Sequence, residues 1–230
     1  LPDAPSSLDC RIEKKSGRRR RESSVQIRRI AAARITRSFF QQPTLTVARC
    51  LLGTRLVKTE RGRRLSGIIV ETEAYIGKED LGCHASRGGL TPRNAALFGP
   101  PGATYVYFTY GMHWLLNIVT GPEGFPAAVL VRAMIPAEGR GTMFRRRGGH
   151  EPIAGGPAMV CQALSIDGRW NRYDLCEKKS QLFLERAFSI PEEGVTTGPR
   201  VGLNTVPEPW KSVPWRFRVH PDTVASLARL

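Results

Sequence analysis

Leu65-Ser66-Gly67-Ile68-Ile69-Val70-Glu71-Thr72-Glu73-Ala74-Tyr75 is the stretch on which the fold turns. It is rich in β-branched residues and set off by Gly67 and Gly77, so it reads as a strand. Alternate residues of a strand share a face. Ile69, Glu71, Glu73 and Tyr75 are therefore expected to point one way, and Ile68, Val70, Thr72 and Ala74 the other. Ordinary alternation with a solvent-facing side gives this pattern. So does a carboxylate placed as a general base beside an aromatic platform. The spacing alone does not choose between Glu71 and Glu73.

Outward from this strand, Ala103–Tyr110 reads as an aromatic strand, Gly111 as a turn and Met112–Val119 as the returning strand. Ala127–Met134 is a further, almost wholly apolar strand. Leu182–Leu184, Arg200–Leu203 and Trp215–Val219 read as short late strands. Helices are expected at Thr44–Leu52, stopped by Gly53, and at Ala158–Leu164. Glu138–Pro157 reads as a Gly/Arg-rich loop. There is no internal repeat and no sustained βαβ alternation. The expected fold is α+β, a single mixed domain around a central antiparallel β-sheet.

The 230 residues carry 35 Lys/Arg against 20 Asp/Glu, a formal net charge of +15. That balance favours a polyanionic partner, either nucleic acid or an anionic membrane surface. No run approaches the roughly 18 apolar residues of a membrane helix, and the first twenty residues lack the apolar segment of a signal peptide. Nucleic acid is the better match. The five cysteines are widely spaced, with no C-x-x-C pair, and the four histidines are scattered. A reducing, intracellular setting is expected, with no disulfide framework, no metal and no cofactor. Residues 1–37 hold eleven Lys/Arg, including Arg18–Arg21, and four Asp/Glu. They read as a basic, disordered arm, either a solvated tail or a nonspecific DNA tether. Residues 38–230 form the body, which is still +8 by itself, with 24 Lys/Arg and 16 Asp/Glu.

Two further segments bear on chemistry. Cys83–Asn94 is short of apolar residues and rich in donors, so it reads as a surface loop holding His84. Arg87, Arg93 and the glycine amides there could take phosphates. In Tyr105-Val106-Tyr107-Phe108-Thr109-Tyr110-Gly111-Met112, Tyr105 and Tyr107 fall on one face and Val106, Phe108 and Tyr110 on the other. This is either a plain aromatic core strand or one that places Tyr110, beside the turn glycine, as a wedge between base pairs.

Taken together, these segments resemble the alkyladenine (3-methyladenine) DNA glycosylase family. The resemblance rests on Ser66–Tyr75, His84, Thr91-Pro92-Arg93-Asn94, Tyr105–Met112, Asn117 and Val129–Ala133. Gly156-Pro157, Cys161–Leu164 and Arg200-Val201-Gly202 follow in the family's order, so that it spans about Ile35 to Val219. It implies a monofunctional base-excision-repair glycosylase. Such an enzyme flips alkylated or deaminated purines of the 3-methyladenine, hypoxanthine or ethenoadenine type out of double-stranded DNA. It then hydrolyses the N-glycosidic bond to leave an abasic site. A non-catalytic nucleic-acid-binding module is the alternative, since charge and aromatic interleaving suit either.

By this resemblance Glu73 matches the base that activates water, Arg132 helps to hold that water, and the Val201 carbonyl is its third partner. Tyr75, His84 and Tyr107 match the walls of the base pocket, and Asn117 its floor. Tyr110 matches the residue inserted into the duplex from a protruding hairpin, with Gly111, Met112, Thr91 and Arg93 also at the DNA. The chain is expected to act as a monomer inside the cell, with the DNA. It departs from the family at Met159, which stands where a lysine is frequent, and around Leu81–Ser86.

Overall fold

The computed structural model describes residues 27–86 and 89–229. The run Arg18–Arg21 and Arg87 lie outside the described residues. The described residues form fifteen labelled elements. These are β1 (Arg28–Arg29), α1 (Arg37–Phe40), α2 (Thr44–Cys50), β2 (Arg55–Glu60), β3 (Arg63–Ile76), β4 (Thr104–Thr109), β5 (His113–Val119) and β6 (Ala127–Glu138). Then come α3 (Arg140–Arg146), α4 (Pro157–Leu164), β7 (Leu182–Glu185), β8 (Phe188–Ser189), β9 (Val195–Gly198), β10 (Arg216–Val219) and α5 (Pro221–Leu227). No helix among the described residues is long and apolar enough to cross a membrane.

The fold is mixed α+β, and its main sheet is antiparallel and eight-stranded. The order β4-β5-β6-β3-β10-β9 places β3 at the centre. One edge of β3 pairs with β6 from Ser66 to Ile76. Its other edge forks: residues 63–68 pair with β2, and Glu71–Glu73 with β10. Ile69 fills the fork, exchanging backbone hydrogen bonds with Gly53 and Thr54. The long strand thus joins a structural half, β2–β7, to the half that carries the candidate site.

The ladder between β3 and β6 is irregular where chemistry is expected. Ile69 faces Met134, Glu71 faces Ala133, and Thr72 faces Val131, so Val70 and Arg132 have no register partner. Such bulges bend a strand and re-aim side chains. The alternation expected from Ile69 to Tyr75 is therefore broken at Val70. Ile69 belongs to the main apolar core, which lies between the sheet and helices α2 and α4, while Glu71 makes ion pairs. A second, smaller apolar cluster of Cys83, Ala85, Ala96, Leu97, Tyr105, Val119 and Ala128 backs Tyr75 and Tyr107.

Several expectations are corrected. The segment read as a loop from Glu138 contains α3. A single buried apolar residue, Met143, anchors it, too little to give a helical period among arginines and glycines. Arg200–Leu203 is a turn, not a strand, with Gly202 at φ 82°. Strand β2 was missed, although Arg61 and Gly62, at φ 48° and 73°, make the left-handed turn that closes its hairpin with β3. The arm was expected to run to Arg37, yet its last residues lie on the body. Strand β1 pairs with β8, Ile35 is buried, and Arg34 donates to the carbonyls of Glu177, Lys178 and Ser180.

Candidate active site

The centre of the site is Glu73, which is fully buried. One carboxylate oxygen accepts the Val201 backbone N–H at 2.7 Å. The other accepts the Tyr75 hydroxyl at 2.9 Å and the Arg132 guanidinium at 3.2 Å. Arg132 also donates to Glu71 at 2.9 Å, and Arg216 donates to the same Glu71 oxygen at 2.6 Å. The two acids, ambiguous by spacing, are thus distinguished by contacts. Glu71 is a clamp between two arginines, and Glu73 is held by donors that come from three separate segments. Arg132 reaches both acids from the position that the ladder skips.

Tyr75, Arg132 and Val201 line a cavity of about 330 Å³. His84, Tyr105, Tyr107, Asn117, Leu130 and Leu203 also stand in its wall. Glu73 itself sits one hydrogen bond behind that wall. Tyr105 and Tyr107 stack with ring centroids 5.2 Å apart, and His84 meets Tyr107 edge-on at 4.5 Å. His84 Nδ1 lies 2.8 Å from the Tyr105 hydroxyl. Asn117 is buried, and its amide donates to the Tyr105 carbonyl at 3.1 Å. Burial, and then the neighbouring Glu73 charge, push the Tyr75 hydroxyl well above the ordinary phenol range. The same two causes push Tyr107 up to about 12. Both therefore stay neutral. His84 presents one face to the open cavity, but the packing around its ring lowers its pKa below the usual imidazole value, and the Arg93 charge adds to this.

Two ties that the sequence reading missed hold the walls in place. Arg200 and Asp80 form a fully buried ion pair at 2.5 and 2.7 Å. Asp80 accepts the Ile76 and Gly82 amides, and Arg200 donates to the Ala74 carbonyl. The Arg200 guanidinium also lies 4.7 Å from the centre of the Tyr75 ring. A Cβ on Gly82 would come within 2.8 Å of Arg200 Nη2, so only glycine fits this approach. Buried Asn94 is the second tie, donating to the His84 and Gly89 carbonyls at 3.1 and 2.8 Å. Thr91 bonds only with Asn94 among the described residues, whereas Arg93 is exposed.

Strands β4 and β5 form a hairpin whose tip leaves the sheet. Tyr110 and Gly111 take φ 51° and 66°, and Met112 N–H closes the turn onto Thr109 O at 3.1 Å. Tyr110 is 82% exposed and Met112 67%. Tyr110 and His113 also border the cavity.

A sequence model of the methylpurine-DNA glycosylase family matches residues 38–223. The chain belongs to this family. It is a DNA glycosylase, a hydrolase of N-glycosyl bonds that works in DNA repair. A relative from Myxococcus xanthus (strain DK1622), named "Putative 3-methyladenine DNA glycosylase", is 46% identical over 182 residues, 79% of this chain and 88% of its own. A relative of the same name from Prosthecochloris aestuarii is 48% identical over 174 residues, 74% of this chain and 82% of its own. The family match begins at Ser38 and leaves β1 outside it.

Proposed function

We propose that this glycosylase excises alkylated and deaminated purines, of the 3-methyladenine, hypoxanthine and ethenoadenine type, through a water activated by Glu73. The observation that carries the reading is the triple hold on one fully buried carboxylate, with each donor a residue of the cavity wall. Tyr75 joins two tasks: its ring lines the cavity and its hydroxyl fixes the carboxylate. A purine seated against that ring brings its sugar toward Glu73.

In the proposed reaction the C1′–N bond breaks and its electron pair leaves with the purine. Water, held by Glu73, Arg132 and the Val201 carbonyl, bonds to C1′ and gives its proton to Glu73. The carboxylate also stabilises the positive charge that develops on the sugar. No lysine among the described residues lines the cavity, which supports water rather than an amine as the nucleophile. Tyr75, His84 and Tyr107 offer π faces worth about 0.5–2 kcal/mol per contact to a cationic alkylated base. Neutral lesions would rely on stacking and hydrogen bonds. Asn117, buried on the wall, would crowd a purine 2-amino group. Tyr110 would enter the duplex at the vacated position.

The test is Glu73→Gln. An amide turns one acceptor into a donor facing Tyr75, Arg132 or the Val201 amide. Excision of hypoxanthine from duplex DNA should fall by at least about 10²-fold, as for loss of a general base. Lesion-DNA binding should stay within a few fold. Substantial single-turnover excision by the purified variant would remove Glu73 from the mechanism.

A further inference from the structure

A second cavity, of about 430 Å³, lies where the segment after β1 crosses the sheet edge formed by β2 and β7. Among the described residues its lining is Arg29, Ile30, Ala31, Ala32, Arg55, Arg186 and Ala187, with three guanidinium groups and no carboxylate. Two backbone bonds frame it, Ile30 N–H to Ala187 O at 2.8 Å and Arg186 N–H to Ala33 O at 2.9 Å. Between them the amides of Ala31 and Ala32 donate to nothing among the described residues.

Arg55 supplies the decisive detail. Its Nε is buried and has no hydrogen-bond partner among the described residues. A buried donor left unmade is costly, and one in a native fold calls for an acceptor. The acid whose charge Arg55 does feel, Glu138, is already bonded to Arg64 and Ser66. Arg29 and Arg186 likewise form no ion pair among the described residues.

We infer that this cavity is an oxyanion site for a phosphate group, distinct from the glycosylase cavity and independent of its mechanism. Arg55 would offer Nε–H from below, Arg29 and Arg186 would close on the ligand from the rim, and the loop amides would add donors. Arg55 faces Ile68 in the ladder, five residues from Glu73, or roughly 17 Å along β3 at the usual strand rise. A DNA phosphate seated here would belong to a flanking segment, away from the flipped nucleotide.

The experiment follows the Arg55 Nε–H resonance by NMR in the full chain. Inorganic phosphate is titrated against chloride at matched ionic strength in wild type and Arg186→Gln, and the affinity for undamaged duplex DNA is measured against salt in wild type, Arg55→Gln and Arg186→Gln. A saturable shift with phosphate, at least tenfold weaker in Arg186→Gln, is expected. Arg186 is exposed, so that variant tests the site without disturbing the sheet. If the DNA backbone is the source, the slope of log affinity against log salt falls by about one per arginine removed. If a free phosphate compound is the source, the slope is unchanged while the phosphate shift persists. Excision from an unpaired lesion should be the same in Arg186→Gln. No saturable shift in wild type, or an equal shift with chloride, overturns the site.

Discussion

Tyr110 holds a left-handed backbone conformation with 82% of its surface exposed. A bulky residue at positive φ costs of order 1–3 kcal/mol, and glycine or asparagine would hold the turn without it. An aromatic ring kept there at that cost needs a partner, and the proposed one is the DNA stack. Tyr110→Ser removes a contact worth roughly 1–3 kcal/mol, so excision from a stable base pair should slow by one to two orders of magnitude. A mismatched or single-stranded lesion should lose less, because less stacking must be replaced. Equal losses in single-turnover rates on both substrates would refute the wedge. His84 gives a pH prediction. Its folded pKa is lowered by burial and by Arg93. The stability this contributes is complete above the unfolded value, about 6.5, and is lost as pH falls through the lower folded value. Melting temperature should therefore decline from pH 7 toward pH 5, and less steeply in His84→Gln; parallel curves for the two proteins would sink the assignment.

At the scale of elements, the site depends on how β3 is gripped. The Arg200–Asp80 pair binds the turn after β9, the loop that leads to His84 and the end of β3 into one unit. Both side chains are fully buried. Removing one partner of such a pair strands the other charge and costs about 3–5 kcal/mol. Arg200→Ala should lower unfolding stability by that amount in urea titrations. The surviving fold should excise slowly, since the Val201 amide loses its anchor. A variant of wild-type stability would show that the pair is dispensable. The hairpin β4–β5 is tied differently, through the Val106 amide to Asn171 Oδ1 at 3.0 Å and backbone bonds between Thr104 and residues 172–173, while Tyr105 and Asn117 face each other in its ladder and are buried in the wall.

For the whole molecule, residues 28–37, which charge alone groups with the basic N-terminal segment, lie on the body. Residues 1–26 hold seven Lys/Arg and four Asp/Glu, and all the matched site residues lie beyond them. Deleting them should leave single-turnover excision nearly unchanged and make the salt dependence of DNA binding shallower. Deleting residues 1–37 strips β1, the buried Ile35 and the Arg34 and Arg37 bonds. Burial of the isoleucine alone is worth about 1.5–3 kcal/mol. Urea midpoints should separate the two truncations, with the longer one less stable. Identical midpoints would mean that β1 and its flank contribute nothing to the fold.

Strands β3 to β6 are legible in the sequence alone, because β-branched and aromatic runs carry their period locally. The sequence also places Tyr110 at a turn through the glycine that follows, and groups Glu71, Glu73 and Tyr75 on one strand. Which acid is enclosed, and by what, emerges only in the folded chain. Val201 lies 128 residues from Glu73, and Arg200 lies 120 residues from Asp80. No local pattern announces such pairings, because their energy comes from burial of partners that the chain brings together only on folding. The bulge that turns Arg132 onto Glu73 is invisible for the same reason. Register belongs to two strands at once, and a skipped residue leaves no mark in either strand alone.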